Sequence, residues 1–244
     1  MASPRVCVLR APGTNCDVET AFAFETCGGT PERLHLFRLL EQPALLDDFQ
    51  IVCIPGGFSY GDDIGAGVIF SRQLQGRLGE AIGRFLQADK LMLGICNGFQ
   101  VLTEAGLLPG ALQKNRGLRF LCTTVGVRVC ATRSALTGGC DRGAILRLPV
   151  NHFEGNYICD RSTLDQLRAE DRIILRYTEN PNGSVDDIAG ISNHEGNVVG
   201  LMPHPERACD ELTGATDGMA LLRGLIAAAA RPGGADRPAA SLTA

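Results

Sequence analysis

Short apolar runs that precede glycine-rich turns and helical segments constrain this chain more than any other feature. The runs are RVCVLR (5–10), QIVCI (50–54) and LMLGI (91–95), and the helices expected after them cover Asp17 to Cys27, Gly67 to Ala88 and the residues from Asn97 onward. Strands that alternate with helices run parallel, because each helix carries the chain back across the sheet. The sequence therefore predicts an α/β fold with a doubly wound, mostly parallel sheet and helices on both faces.

The second half of the chain is richer in strands. The runs LRFLCTTVGVRVCAT, GAILRLPV, RIILRYTEN and IAGISNHEGNVVGLM are separated by turn residues, and ERLHLF is a further strand candidate in the first half. Such runs predict hairpins and an antiparallel extension of the same sheet. We expect one domain over residues 1–230, with a helix in TDGMALLRGLIAAAA at its end. Residues 231–244 have too few apolar side chains to fold and are expected to be a disordered tail.

Composition excludes several classes of protein. The chain has 23 basic and 27 acidic residues, a balance that argues against a surface built to neutralise nucleic-acid phosphates. No apolar run reaches the roughly 18 residues of a membrane span, and we expect a cytoplasmic protein. None of the ten cysteines forms a CxxC pair, so a zinc site is not expected. Cys7, Cys53 and Cys130 are expected to act as small hydrophobic side chains inside strands.

Cys96 is the candidate nucleophile. It lies in GICNG between a strand and a helix, and glycines at positions 94 and 98 are typical of a nucleophile elbow, where neighbouring backbone comes too close for a side chain. The amide of Asn97 could then stabilise an oxyanion at the helix N-terminus. A buried cysteine at a tight turn is the alternative. Cys16 is a rival nucleophile near a helix N-terminus, but it has no flanking glycines.

A cysteine nucleophile needs a base, and two histidines have a glutamate two residues later. These pairs are His152 with Glu154 in NHFEG, and His204 with Glu206 in MPHPER. In extended backbone, residues i and i+2 face the same side, so either glutamate could orient its histidine. His35 and His194 are expected to be structural or surface residues.

Two prolines favour His204 as the base. Pro203 and Pro205 restrict the backbone on both sides of His204, in a loop that follows the strand NVVGLM. Active sites of open α/β sheets lie at such strand ends.

The segment IPGGFSYGDD follows a buried strand and supplies a further part of the predicted site. Its second glycine, Gly57, is the candidate for the second oxyanion donor, opposite Asn97. A phosphate cradle is the alternative. It is disfavoured because the chain has no P-loop motif and because Asp62 and Asp63 would repel an anion.

Together, IPGGFSYGDD, GICNGFQ and MPHPER resemble the class I glutamine amidotransferases, which have a flavodoxin-like fold and a Cys-His-Glu triad. APGTNCD, GLLPGAL, HFEGNY, NGSVDDIAGI and ATDG extend the similarity to the family of glutaminase subunits of phosphoribosylformylglycinamidine synthase, from Val6 to about Leu225. The resemblance implies that glutamine is hydrolysed here and that its ammonia enters purine biosynthesis.

The resemblance also implies a role for each matching residue. Cys96 would be the nucleophile, His204 the general base and acid, Glu206 the residue that orients the histidine, and the amides of Gly57 and Asn97 the oxyanion donors. The residues implied at the substrate or at an interface are Asn15, Phe58, Gln100, His152 and Glu154. Two strings depart from the usual family pattern. HFEG stands where HGEG is more usual, which leaves the roles of His152 and Glu154 open, and YGDDIGAG resembles only some branches.

Partners follow from the same resemblance. L-glutamine would be the substrate, and a large synthetase subunit would receive the ammonia, with a small third subunit in many members. ATP and magnesium are expected on that synthetase and no metal or cofactor on this chain, which has no phosphate-binding motif. The alternatives are a stand-alone γ-glutamyl or other cysteine hydrolase, a non-catalytic regulatory subunit, and a redox-sensing thiol protein.

Overall fold

The structure is a computed structural model that describes residues 3–231. The strands are β1 (Arg5–Arg10), β2 (Thr30–His35), β3 (Ile51–Ile54), β4 (Leu91–Ile95), β5 (Ala111–Lys114), β6 (Leu121–Val129), β7 (Ile145–His152), β8 (Glu154–Ile158), β9 (Ile173–Tyr177), β10 (Ile188–Ser192) and β11 (Val198–Leu201). The helices are α1 (Asp17–Thr26), α2 (Leu36–Glu41), α3 (Val68–Arg77), α4 (Gly79–Gln87), α5 (Asn97–Glu104), α6 (Arg161–Ala169) and α7 (Gly218–Ala229). The predicted tail lies outside the described residues from position 232 onward.

A nine-stranded sheet in the order β2-β1-β3-β4-β11-β10-β9-β6-β7 organises the molecule. Its first five strands are parallel, and the remaining pairs are antiparallel. The predicted fold class is therefore confirmed, including the antiparallel extension. Strands β5 and β8 form a separate two-stranded antiparallel sheet that the sequence did not predict.

The parallel half of the sheet positions the candidate site. Every residue of β3 and β4 is buried, as expected for central strands that are covered on both faces. Since β1, β3, β4 and β11 run in the same direction, the loops after them meet at one edge. These loops carry Cys16, Gly57, Cys96 and His204.

The prediction of one long helix from Gly67 to Ala88 is wrong. Two helices, α3 and α4, meet at Leu78, which is fully buried. Gly76 and Gly79 flank this break, and each glycine costs about 1 kcal/mol relative to alanine inside a helix. The apolar periodicity continues across the break, so it did not reveal that the helical hydrogen bonding is interrupted there.

Three smaller predictions also need correction. ERLHLF is not one strand, because β2 ends at His35, whose Nδ1 accepts a hydrogen bond from the Phe37 amide and caps α2. Helix α1 begins at Asp17 as expected. The sequence favours the Asn and Asp of APGTNCD as its cap, but the N-cap residue is Cys16, which makes no side-chain cap bond. The Asp17 carboxylate instead forms ion pairs with two arginines. Cys130 follows β6 and is half-buried rather than inside a strand.

None of the helices between residues 3 and 231 combines the length and the apolar character that a membrane span requires.

The turn from β4 into α5 brings three backbone segments into direct contact. A Cβ atom on Gly94 would lie 2.5 Å from the Gly98 carbonyl oxygen, and one on Gly98 would lie 1.9 Å from the Ile54 carbonyl oxygen. Both contacts are with backbone, which cannot move aside as a flexible side chain could. Glycine is therefore required on both sides of Cys96, as the sequence predicts.

We expect Gly98→Ala to lower the free energy of unfolding by about 2 kcal/mol or more, because the new methyl group would push α5 away from β3. Urea denaturation of the purified variants measures this change. Gly83→Ala is the matched control, since a Cβ on Gly83 in α4 would meet no atom within 4 Å. That variant should be as stable as the wild type or more stable, by up to about 1 kcal/mol. Equal stability of the Gly98→Ala variant and the wild type would contradict the close approach.

Candidate active site

Cys96 lies in a strained turn between β4 and α5. Its backbone angles, φ 51° and ψ −103°, are uncommon for a residue with a side chain. The amide of Cys96 donates to the Leu201 carbonyl at 2.8 Å, so β11 holds the turn in place. The thiol is nearly buried and lies 3.7 Å from the carbonyl oxygen of Asn151 at the end of β7. This geometry is that of a nucleophile elbow, with the sulfur at the carboxyl edge of the sheet.

His204 and Glu206 form a buried pair at the same edge. The His204 Nδ1 atom lies 2.6 Å from Glu206 Oε1, and both side chains are almost completely buried. The backbone amide of His204 donates to the Pro149 carbonyl at 2.8 Å. The predicted pair is thus formed, but not in extended backbone. Pro205 begins a 3-10 turn that ends at Arg207, as is common because its fixed φ suits a first helical position.

Charges around His204 favour its protonated form. Burial lowers the pKa of His204, but the Glu206 carboxylate and the Cys96 thiol raise it, and the net result is a pKa well above the ordinary value. A protonated His204 can stabilise a Cys96 thiolate, as cysteine nucleophiles require. The Nε2 atom of His204 is buried and has no hydrogen-bond partner among the described residues, while Nδ1 is occupied by Glu206. Nε2 is therefore the nitrogen that can exchange a proton with the reacting groups.

The two residues predicted for the oxyanion site come to the same edge. Asn97 is the first residue of α5, where an amide has no acceptor within the helix. Gly57 has a φ of 146°, and a Cβ there would lie 2.8 Å from the Asn15 amide nitrogen. The neighbouring Gly56 passes against the imidazole of His204, since a Cβ on it would lie 2.7 Å from Cε1. The donor roles of Gly57 and Asn97 remain predictions.

A chain of side-chain hydrogen bonds supports this region. Asn97 Oδ1 accepts from the Ser59 amide at 3.2 Å, and Asn97 Nδ2 donates to Gln100 Oε1 at 2.9 Å. Gln100 Nε2 donates to the Glu154 carbonyl at 2.6 Å. The segment after β3 is thereby connected to β8. Gln100 and Glu154, predicted at the substrate or an interface, have at least this supporting role.

His152 does not pair with Glu154. Asn115 Nδ2 donates to the carbonyls of Arg119 and His152, and Asn115 Oδ1 accepts from the Gly155 amide at 3.2 Å. The orientation of the Asn115 amide is therefore defined. His152 Nδ1 lies 3.1 Å from Asn115 Oδ1 and must be the donor.

The remaining nitrogen of His152, Nε2, is an unprotonated acceptor without a partner among the described residues. Burial, together with the positive charge of His204, lowers the pKa of His152 to about 4. His152 is thus a neutral acceptor at neutral pH. No carboxylate between residues 3 and 231 orients His152, the alternative base that the sequence offered.

The other predicted residues lie at the rim of the site or away from it. Asn15 Oδ1 accepts from the Cys16 thiol at 3.3 Å, and Phe58 is 44% exposed and stacks on Phe120. Their proposed contacts with substrate or partner remain predictions. His35 caps α2, and His194 lies in an exposed hairpin turn beside Glu170, so both are structural or surface residues as expected.

Two residues of this region were missed from the sequence. Asn115 sets the tautomer of His152, and Arg207 donates to the Cys16 sulfur at 3.1 Å. Arg207 could have been noticed because it directly follows MPHPE. Asn115 follows β5 and gives no comparable signal, since His152 and Gly155, the partners of its Oδ1 atom, lie 37 and 40 positions away along the chain.

We expect Glu206→Gln to lower the pKa of His204, because the carboxylate that favours the charged imidazole would be lost while the ring stays buried. Histidine NMR titration measures this change directly. The stabilising pair also makes folding pH-dependent: its contribution is complete below a pH of about 6.5 and is lost as the pH rises through the raised pKa of His204. The stability difference between the wild type and the variant should therefore shrink at alkaline pH.

Glu170→Gln is the control for this experiment, since it removes the carboxylate beside the exposed His194. It should leave the His204 resonances where they are in the wild type. A His204 titration that Glu206→Gln leaves unchanged would contradict the electrostatic role assigned to Glu206.

Known proteins are similar to this chain in sequence and in architecture. Residues 3–217 match the family model of the CobB/CobQ-like glutamine amidotransferase domain. The phosphoribosylformylglycinamidine synthase subunit PurQ of Parasynechococcus marenigrum is 50% identical over 221 residues, which cover 90% of this chain and 98% of that protein. The PurQ subunit of Rubrobacter xylanophilus is 48% identical over 227 residues, covering 92% and 99% of the two chains.

A solved structure agrees with these relatives. A chain of the PurLQS structure from Thermotoga maritima superposes with a TM-score of 0.80 at 37% identity, over 92% of this chain and 98% of that chain. The elbow, the buried His-Glu pair and the sheet order described above thus occur in a chain whose relatives are glutamine amidotransferases. The protein belongs to the PurQ family, the glutamine amidotransferase subunits of phosphoribosylformylglycinamidine synthase.

Proposed function

We propose that Cys96, His204 and Glu206 hydrolyse glutamine to glutamate and ammonia through a cysteinyl thioester. The observation that carries this proposal is the buried His204–Glu206 pair at 2.6 Å, placed at the same sheet edge as a cysteine in a nucleophile elbow. Membership of a glutamine amidotransferase family supports glutamine as the substrate.

The reaction follows from the properties of these groups. The Cys96 thiolate attacks the side-chain amide carbon of glutamine, and the amides of Gly57 and Asn97 stabilise the tetrahedral oxyanion. His204 Nε2 then protonates the departing nitrogen, and the carbon–nitrogen bond breaks to release ammonia. The neutral His204 takes a proton from water, the hydroxide attacks the thioester, and glutamate leaves as the thiol is restored. Glu206 stabilises the charged imidazole in both halves.

Ammonia must be consumed by a second active site. We infer that a large synthetase subunit binds this chain, receives the ammonia and converts formylglycinamide ribonucleotide to formylglycinamidine ribonucleotide with ATP and magnesium. The structural similarity to a chain of PurLQS supports an assembly of this kind, and a small third subunit would be its further component. A cytoplasmic location would follow from this role.

We further propose that this chain itself needs no metal or cofactor. Ligand atoms of Cys16, His204 and Glu206 lie within 4.8 Å of one another, a spacing that could hold a cation. However, the Arg207 guanidinium donates to the Cys16 sulfur, and His204 Nδ1 is hydrogen-bonded to Glu206. A cation there would face a fixed positive charge and would have to break the pair that the proposed chemistry uses.

The test is glutamate release by the wild type and by Cys96→Ser, each alone and with the purified synthetase, its nucleotide substrate, ATP and magnesium. Wild type should be slow alone and much faster in the complex. Cys96→Ser should lose about 10³-fold or more in both settings, because a hydroxyl is a far weaker nucleophile than a thiolate.

Cys140→Ser is the matched control, since Cys140 lies in the segment that connects β6 to β7 and its thiol is half-buried. Its replacement should not affect turnover. Turnover that is fast without the synthetase would favour a stand-alone hydrolase. No turnover under any condition would favour a non-catalytic subunit, and undiminished turnover in Cys96→Ser would refute the nucleophile.

A further inference from the structure

A second thiol lies against the His204 imidazole. Cys16, directly before α1, is 2% exposed, and its sulfur has two hydrogen-bond partners. Arg207 Nη2 donates to the sulfur at 3.1 Å, and the thiol donates to Asn15 Oδ1 at 3.3 Å. A Cβ on Gly56 would lie 3.0 Å from this sulfur and 2.7 Å from His204 Cε1. The thiol and the imidazole thus occupy adjacent space that only a glycine at position 56 leaves open.

Arg207 connects this thiol to the surface. Its Nε and Nη2 atoms donate to Glu19 Oε1 at 3.2 and 3.1 Å, while Nη2 also donates to the Cys16 sulfur. Glu19 lies in the first turn of α1, and Arg207 directly follows Glu206. We call Cys16, Glu19 and Arg207 the Cys16 brace. It joins helix α1 to the loop that carries the proposed base.

The thiol of the brace is neutral. Burial raises the pKa of Cys16 more than the charges of His204 and Arg207 lower it. A neutral thiol that accepts from Arg207 and donates to Asn15 has its hydrogen-bonding capacity in use. Cys16 is therefore unsuited to be the rival nucleophile considered from the sequence. The position of the Cys16 thiol beside the His204 imidazole therefore needs a different explanation.

Geometry shows what His204 needs from a neighbour. The ring is attached to Cβ through Cγ, and its Nδ1 atom is hydrogen-bonded to Glu206, so both of these fixed points lie on one side of the imidazole. The far side, which carries Cε1 and Nε2, has no hydrogen-bond partner among the described residues, and packing contacts there limit the remaining rotation of the ring. The Gly56 backbone and the Cys16 thiol lie where they can provide such contacts.

We propose that Cys16 is a positioning residue that, held by Arg207, sets the orientation of the His204 imidazole and of the Asn15 amide. The proposal rests on the hydrolytic function proposed above. It assigns Cys16 no contact with the reacting atoms. A misplacement of about 1 Å in a catalytic group can cost on the order of 100-fold in rate, so a brace of this kind would matter for turnover.

The charged and titratable groups around His204 come from several elements. Cys16 precedes α1, Cys96 follows β4 and His152 ends β7, while Glu206 and Arg207 belong to the loop of His204 itself. Any pH profile that involves His204 reflects all of these groups. The effect of Cys16 must therefore be measured by replacing it while the others remain.

Cys16→Ala and Cys16→Ser test the proposal in two assays. The first is steady-state glutamine hydrolysis in the complex with the synthetase. The second is iodoacetamide labelling of Cys96 in the isolated chain across pH, read by mass spectrometry of the Cys96 peptide. Cys16→Ala should lower kcat by roughly 10- to 100-fold and shift Cys96 labelling to higher pH, because a misaligned imidazole stabilises the thiolate less. Cys16→Ser should recover most of the rate, since its hydroxyl can accept from Arg207 and donate to Asn15.

Two controls separate positioning from packing. Cys7→Ala removes a fully buried thiol within β1, two strands from β4, and should leave both kcat and the labelling profile unchanged. Arg207→Met should shift both readouts in the direction of Cys16→Ala. Arg5→Met is the matched control for Arg207→Met, because it removes an arginine that is ion-paired with Glu32, far from the site. It should change neither kcat nor the labelling profile.

The outcomes decide between the explanations. The proposal is overturned if a folded Cys16→Ala variant has the kcat and the labelling profile of the wild type. It is also overturned if Cys16→Ala and Cys16→Ser lose kcat equally while the pH profile of Cys96 labelling stays unchanged. If Cys16→Ala does not fold, Cys16→Ser and Arg207→Met decide by the same two readouts. A wild type that hydrolyses no glutamine refutes the proposed function, while the labelling profiles still test whether Cys16 positions His204.

Discussion

Direct backbone contact at the end of β4 is the constraint on which the site depends. Gly98 lies against the Ile54 carbonyl, and Gly94 lies against Gly98, so α5 begins closer to β3 and β4 than any side chain would allow. This approach turns the Cys96 thiol to the sheet edge and places the Asn97 amide beside it. Gly56 provides a similar opening for His204. Three glycines thus determine where the candidate nucleophile Cys96, the predicted oxyanion donor Asn97 and the proposed base His204 can lie.

Much of this arrangement was predictable from the sequence. Short apolar runs with intervening helices predicted the parallel half of the sheet, and glycines at fixed spacing around Cys96 predicted the elbow. Prolines on both sides of His204 favoured it over His152, and His204 is the histidine that pairs with its glutamate in the structure. The last two signals are local, since each depends on residues within about four positions of one another, and a pattern in the sequence can report such constraints directly.

Other features were not predictable because they depend on contacts between distant segments. The break between α3 and α4 falls at Leu78, and the apolar pattern continues across it through this buried side chain. The partner of His152 Nδ1 is Asn115 rather than Glu154, and no pattern in the sequence connects Asn115 to His152. The interaction of Arg207 with Cys16 joins residues 191 positions apart. The sequence shows that the arginine and the cysteine are present, but it does not show that they are in contact.

Strand β11 lies at the centre of the sheet but comes last along the chain among the strands described above. This strand lies between β4 and β10 in the middle of the sheet, yet it is separated from β4 by about 100 residues of chain. During synthesis, β4 is therefore an open sheet edge until the segment that ends in His204 has emerged from the ribosome, and such edges are prone to wrong pairing. The same strand closes that edge, holds the Cys96 turn through Leu201 and leads directly into the loop of His204, the proposed base. The edge of β4 is thus closed by the same segment that brings His204 to Cys96, so a chain that stops before β11 lacks both the paired sheet and the proposed base.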